Sequence, residues 1–292
     1  MNRTLTTLFI SGAALAAFSA VPANAQATSG SVQVGSAKIA YRVQGHGPAM
    51  MLVHGYPLSG ELFVKNRNVL SRRYTVVTPD LRGYGNSTTP DSKGGVELYA
   101  KDMLAVMDHL HIKKAIIGGM SMGGLVVFEM YREAPERFKG MILIDTSAAP
   151  ANEVEKAEWP GFGNQARAKG VASMNPVLLP QMLTTKTRMS DPALVAFVSG
   201  IVKKGTVNAA VGGGATLADR PDSRPTLKTV KVPVLVIVGY DDPIYAVESQ
   251  KMMQKLHPGA KLVIVPGAAH AATIEKPQVV NRAIENWASS IR

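Results

Sequence analysis

The sequence predicts an α/β fold: a mostly parallel sheet flanked by helices, carrying one helical insertion. Three observations predict it. Short, nearly continuous apolar runs end at Gly, Pro or Asp, as strands buried on both faces do. Amphipathic stretches of helical period separate most of them, and that alternation requires parallel strands joined by right-handed crossovers. One interval, residues 148–230, breaks the rhythm and holds no convincing strand.

Residues 1–25 stand apart from the fold. A basic "MNR" precedes the small, apolar "TLTTLFISGAALAAFSAV", and Ala23-Asn24-Ala25 supplies an A-x-A cleavage signal. The expectation is a signal peptide cleaved after Ala25, and hence an exported, periplasmic or secreted protein. A membrane anchor is the weaker reading, because Thr6, Thr7, Ser11, Gly12 and Ser19 interrupt the run and no basic stop-transfer cluster follows. No later segment approaches the ~20 uninterrupted apolar residues of a spanning helix, so no membrane span is expected in the mature protein.

The first part of the core, residues 26–147, opens on "SVQVG" and "KIAYRVQ", a hairpin turning through Ser36 and Ala37. "AMMLVHG", "YTVVTPD", "KAIIGGM" and "GMILIDT" are buried strands. "GVELYAKDMLAVMDHLH" and "SMGGLVVFEMYREAPERF" are helices between them. Within residues 148–230, "EVEKAEWPGFGNQARAKGVASM", "PVLLPQML" and "DPALVAFVSGIVKKG" are expected as short helices broken at Pro and Gly. A structureless loop of that length would be out of place in a compact domain, so the interval is read as a helical insertion. The second part of the core, residues 231–292, holds the strands "VPVLVIVG" and "KLVIVPG" and the helices "YAVESQKMMQKLH" and "PQVVNRAIENWASSI".

Composition narrows the chemistry. Of 292 residues 46% are hydrophobic and 18% charged, enough for one large core. The absence of cysteine excludes disulfides, a cysteine nucleophile and thiolate metal sites. The formal charge of +11 is spread over short basic pairs such as "SRRY", "IKKA" and "VKKG". These are read as solvated surface, and no nucleic-acid motif accompanies them. No metal-ligand spacing such as H-E-x-x-H appears, and no cofactor is expected.

The pentad Gly119-Met120-Ser121-Met122-Gly123 fits G-x-S-x-G between a predicted strand and a predicted helix. In that setting the serine sits in a sharp, strained turn, and side chains two residues before or after it would collide with the neighbouring strand and helix. Alone, the pentad equally describes a tight strand–helix turn. A phosphate loop would need a lysine or the G-x-G-x-x-G spacing, which "GGMSMGG" lacks. A serine hydroxyl needs a base. His109, His111, His46 and His257 lie at helix ends or turns, whereas His54 and His270 each follow a strand. Nucleophile, acid, histidine is the chain order for this type of turn. It leaves His257 and His270, and the loop position favours His270. The acid falls in "YDDP", with Asp242 preferred over Asp241 because Pro243 stiffens its loop. Asp145 is a third candidate.

Together, "LVHGYP", "TPDLRGYGNS", "GGMSMGG", "VPVLVIVGYDDP" and "PGAAHAATIEKP" resemble an α/β-hydrolase, from about Ser31 to the C-terminus. The resemblance implies an eight-stranded sheet with a helical cap after the sixth strand, and a triad of Ser121, Asp242 and His270. It implies an oxyanion hole from the backbone N–H groups of Tyr56 and Met122. It makes Gly55 part of the oxyanion segment, and His54 a structural residue that holds loops together. Asp80, Arg82 and Ser87 are implied as ties between backbone segments. The cap-to-core return resembles that of enol-lactone hydrolases and similar small esterases. A small, apolar ester or lactone is the implied substrate, with Met120, Trp159, Phe162, Met182 and Leu183 as possible pocket residues. The same triad serves cofactor-free perhydrolysis (haloperoxidase activity) and carbon–carbon bond hydrolysis in similar proteins, and the fold also serves as a non-catalytic receptor. Haloalkane dehalogenases share the "HG-x-P" but use an aspartate where Ser121 stands.

Overall fold

The computed structural model describes residues 26–291, so the expected signal peptide, residues 1–25, lies outside the described residues. The described residues hold eight strands: β1 (Thr28–Val34), β2 (Ala37–Gln44), β3 (Ala49–Val53), β4 (Thr75–Pro79), β5 (Ala115–Met120), β6 (Phe138–Ile144), β7 (Val234–Gly239) and β8 (Lys261–Val265). They form one sheet in the order β1-β2-β4-β3-β5-β6-β7-β8. The β1–β2 and β2–β4 pairs are antiparallel and all others parallel. All six predicted central and edge strands are in place, and so is the predicted hairpin, except that it turns through Gly35 and Ser36, because Ala37 already pairs with Val34 as the first residue of β2.

Alternation along the strands divides the core in two. Met51, Val53, Ile117, Leu143 and Val236 face one cluster, packed by α2 (Val96–His109) and α3 (Met122–Glu133). Met50, Leu52, Ile116, Ile142, Leu235 and Ile237 face the other, packed by α1 (Val64–Leu70), α11 (Ala272–Glu275) and α12 (Pro277–Ala288). Each such fully buried side chain stabilises the fold by about 1.5–3 kcal/mol. A strand covered on both faces has no polar side to display, which is why these runs read as continuous apolar segments.

Between β6 and β7 lie α4 (Glu153–Lys169), α5 (Asn175–Met182), α6 (Thr185–Ser190), α7 (Pro192–Lys203), α8 (Val207–Ala218) and α9 (Arg224–Thr229). Helix α10 (Val247–Leu256) follows β7. The insertion is helical, and its helices break at Gly170, Pro192 and Gly205 as expected, but not at Pro160 or Gly161. Helix α4 runs 17 residues through Pro160 and Gly161. Its start is held by a reciprocal cap, in which the Asn152 side chain accepts from Glu155 N–H at 2.9 Å and Glu155 accepts from Asn152 N–H at 3.0 Å. Its length packs on α8, where Gly163 meets the Val211 backbone and Gly214 meets the Trp159 carbonyl. Tertiary contact thus overrides the local breaker. The glycine-rich run "VGGGAT" lies within α8.

Three sets of bonds seat the insertion on the core. From the core, Tyr56 Oη and Tyr84 Oη donate to the Ala210 and Ala209 carbonyls of α8, at 3.1 and 2.6 Å. At the end of α5, the Gln181 and Met182 carbonyls accept from His270 N–H and Ala271 N–H, at 3.2 and 3.0 Å. At the neck, the Arg220 guanidinium donates to the Ala149, Leu217 and Pro150 carbonyls and to both carboxylate oxygens of Glu155, the last at 2.7 Å.

Candidate active site

The C-terminal edge of the parallel strands gathers the site. Ser121 occupies the single residue between β5 and α3, with φ 54° and ψ −121°. That left-handed backbone is strained for any residue but Gly. It is held by Ser121 N–H donating to Ile144 O at 2.9 Å and by Thr146 Oγ1 donating to Ser121 O at 2.7 Å. A Cβ on Gly119 would strike the Gly123 backbone, and one on Gly123 would strike the Val53 and His54 carbonyls of the adjacent strand end. The close approach of β3, β5 and α3 at this turn therefore requires both glycines.

His270 sits on the loop after β8, 1% exposed, and its Nδ1 lies 2.9 Å from Asp242 Oδ2. The other oxygen, Asp242 Oδ1, accepts from Ile244 N–H and Tyr245 N–H, at 2.8 and 3.1 Å, so the loop's own backbone aims the carboxylate. Asp241 is exposed. The Tyr245 ring lies 5.7 Å from the imidazole. Burial pushes the Tyr245 hydroxyl up to about 12, so it is un-ionised at neutral pH. Among the remaining histidines, His46, His109 and His111 are exposed and His257 ends α10.

Asp145, also in left-handed backbone at φ 44°, is fully buried between the acid and base loops. Its Oδ1 accepts from Gly239 N–H at 2.7 Å, and Oδ2 from Ala272 N–H at 3.3 Å. Burial, reinforced by the charge of Asp242, holds its carboxyl well above the usual carboxylate range. Glu275 fastens the same region from the other side. It accepts from Ala269 N–H at 2.7 Å, and from Thr184 N–H and Oγ1 at 2.9 and 2.6 Å. Sequence reading held Asp145 only as a third acid and missed Glu275 and the Gln181 carbonyl. The one local signal was an acidic residue inside or next to an apolar run, and the partners lie far away along the chain.

His54 is fully buried and its ring lies between backbone groups. Nε2 accepts from Leu81 N–H at 2.9 Å, and Nδ1 lies 2.8 Å from Gly55 O. Accepting at Nε2 requires the neutral ring with its proton on Nδ1, and burial correspondingly lowers its pKa below 6.5. Asp80 accepts from Gly60 N–H and Asn86 N–H, and Ser87 Oγ donates to Asp80 O. Arg82 does not tie backbone to backbone. Its guanidinium is paired with Asp102 of α2 at 2.6 and 2.8 Å.

Tyr56 follows Gly55 after β3, and its bond to Pro57 is cis. Met122 is the first residue of α3, so its N–H has no carbonyl four residues back within the helix. Trp159 and Phe162 of α4 meet the Tyr56 ring edge-on at 6.4 and 6.3 Å, and both line a cavity of about 180 Å³ with Gln181, Pro243 and Ile244. Met120, Met182 and Leu183 are fully buried in the second hydrophobic cluster, together with Ala268 and Ala271 of the His270 loop.

Comparison with known proteins agrees with this architecture. The family model described as "alpha/beta hydrolase fold" matches residues 48–277. The chain is 32% identical over 219 residues to 3-oxoadipate enol-lactonase 2 of Acinetobacter baylyi, covering 73% of this chain and 78% of that one. It is 28% identical over 266 residues to a putative non-heme chloroperoxidase of Synechocystis sp., covering 85% and 94%. A thermophilic esterase from Thermogutta terrifontis superposes with a TM-score of 0.85 at 28% identity, over 91% of this chain and 98% of that one.

Proposed function

The chain belongs to the α/β-hydrolase fold family, and from that premise we propose that it hydrolyses carboxylic esters or lactones through an acyl-enzyme on Ser121. The observation that carries the reading is the buried Asp242–His270 pair at 2.9 Å, on the same sheet edge as the strained Ser121 turn.

In this mechanism His270 Nε2 takes the Ser121 proton as Oγ attacks the carbonyl. Asp242 fixes the proton of His270 on Nδ1 and stabilises the imidazolium. The backbone N–H groups of Tyr56 and Met122 receive the oxyanion, an effect worth about 3–4 kcal/mol per donor. His270 then returns its proton to the leaving oxygen and activates the water that releases the acid. The insertion serves as the cap that shapes the pocket, and residues 1–25 direct export.

Turnover of p-nitrophenyl esters tests the assignment. Ser121→Ala is expected to lower kcat by about 10⁴–10⁶-fold, and a fluorophosphonate label should map to Ser121. Activity that survives Ser121→Ala would sink it. Activity that survives His270→Ala and is lost in His257→Ala would move the base. The similarity to a putative non-heme chloroperoxidase favours perhydrolysis as a second reading, to be revealed by acetate-dependent turnover of peroxide.

A further inference from the structure

The two edges of the sheet are dressed differently. β1 exposes Thr28, Ser29, Ser31 and Gln33, all polar. β8, the opposite edge, reads KLVIV: Lys261 is its one polar residue, Ile264 is exposed, and neither a proline nor a bulge interrupts it. Folded proteins usually blunt such an edge, because its free N–H and C=O groups template further pairing. Outside the insertion, the exposed large apolar residues among those described are Tyr240, Met252, Ile264 and Val279. All four gather here. Ile264 is on β8, Tyr240 is bonded to Val265, and Met252 and Val279 belong to α10 and α12, helices packed against β8.

The phase of the backbone dictates how this edge can pair. Tyr240 N–H donates to Val265 O at 2.9 Å, so Val265 turns its N–H and C=O inward to β7, and Val263 and Lys261 do the same by the period of two. Leu262 and Ile264 therefore aim theirs outward, where no strand lies among the described residues. Antiparallel strands alternate pairs that exchange both bonds with pairs that exchange none. A second β8 laid antiparallel with Val263 opposite Val263 sets Leu262 against Ile264 on both sides of the centre. Every outward N–H and C=O of both strands is then satisfied. A register centred on Ile264 would set Leu262 against Pro266, which has no N–H. One centred on Leu262 would set Ile264 against Ala260, whose N–H already goes to His257 O.

The side chains agree with the Val263 register. Leu262 joins the cluster that Met253 of α10 enters, and alternation puts Ile264 on the same face. Directly opposed residues share a face, so the exposed Ile264 of each copy meets the Leu262 of the other. At the strand ends, Lys261 comes opposite Val265, beside the Tyr240–Asp241 turn of the other copy. Lys261 and Asp241 are both exposed, and neither enters an ion pair among the described residues. A two-fold axis repeats that opposite-charge meeting at each end. Hydrogen bonding, apolar contact and charge are thus all self-complementary, which singles out a second copy of this chain as the occupant.

We propose that β8 is the interface of a two-fold dimer, in which two sheets join antiparallel about Val263 into one continuous sheet.

Sedimentation equilibrium of the purified protein at micromolar concentration should return twice the single-chain mass. Ile264→Lys is expected to raise the dimer Kd by about 10²-fold, because both copies lose the apolar contact and gain a charge at the edge, while its far-UV circular dichroism stays unchanged. Cysteine substitution tests the register independently of that variant, and the chain has no native cysteine to interfere. Opposed residues of a non-bonded pair lie about 4.5 Å apart at Cα, within the range a disulfide spans. Oxidised Val263→Cys should therefore run as a covalent dimer on a non-reducing gel. Lys261→Cys is more exposed, but its copies lie about 13 Å apart in this register and should stay single. A single-chain mass throughout would overturn the proposal and leave the edge to a foreign strand. Cross-linking at Lys261→Cys as ready as at Val263→Cys, or a dimer undiminished in a folded Ile264→Lys, would overturn it equally.

Discussion

Asp241 and Asp242 are adjacent in the chain, yet one is exposed and the other is enclosed against His270. Asp242→Asn is expected to lower kcat by about 10⁴-fold, because an amide cannot hold the required tautomer, while Asp241→Asn stays within about twofold. Side-by-side kinetics check both. Asp145 behaves differently. Its folded-state pKa is raised, so below 3.8 both folded and unfolded chains carry the proton. As pH rises past that value, the unfolded chain releases its proton while the folded one holds it. Stability therefore falls with pH over the interval up to the folded pKa. Asp145→Asn removes that slope. The Tm of the variant relative to the unmodified chain should rise as pH increases above about 4, and a relative fall would refute the sign.

At the scale of elements, glycine in a helix has opposite meanings in α7 and α8. A Cβ on Gly200 meets nothing within 4 Å, so Gly200→Ala should stabilise by about 0.5–1 kcal/mol through helix propensity. A Cβ on Gly213 would run into the Tyr84 hydroxyl and the Tyr56 ring. Gly213→Ala should therefore destabilise by about 1–3 kcal/mol despite the same propensity gain. Thermal melts of the two variants should move in opposite directions. This contrast also marks the limit of sequence reading. The strands were legible because burial on both faces writes itself locally as an apolar run. The Asp242–His270 pair and the Ser121 turn on the same sheet edge were legible because each follows a strand in a recognisable order. The run through Pro160 in α4 was not, because what overrides the breaker is a neighbour in space, α8, about fifty residues away. Arg82 was misread for the same reason: Asp102 lies on α2, and no local spacing links them.

Across the whole molecule, the insertion is tied at both ends and in the middle. Arg220 joins the chain where it enters the insertion, at Ala149 and Pro150, to where it leaves. Arg220→Leu would strand the Glu155 carboxylate and release three carbonyls. Because Glu155 is partly solvated, the cost should be about 2 kcal/mol, below the range for a fully buried pair. Limited proteolysis should then cut between α4 and α8 before it cuts the core, which a uniformly destabilised chain would not do. The described residues include no single helix long and apolar enough to cross a membrane.

The hydrogen bonds from His270 and Ala271 to the Gln181 and Met182 carbonyls, with Glu275 bridging to Thr184, place a seam through the insertion. On one side, α4 contributes cavity wall and can be exchanged with little consequence for the imidazole. On the other, residues 181–184 are part of the imidazole's own mounting. A chimera that imports a foreign insertion whole would replace that mounting, while one that grafts only α4 would keep it. Retargeting this scaffold to new substrates should begin at α4 and stop before Gln181.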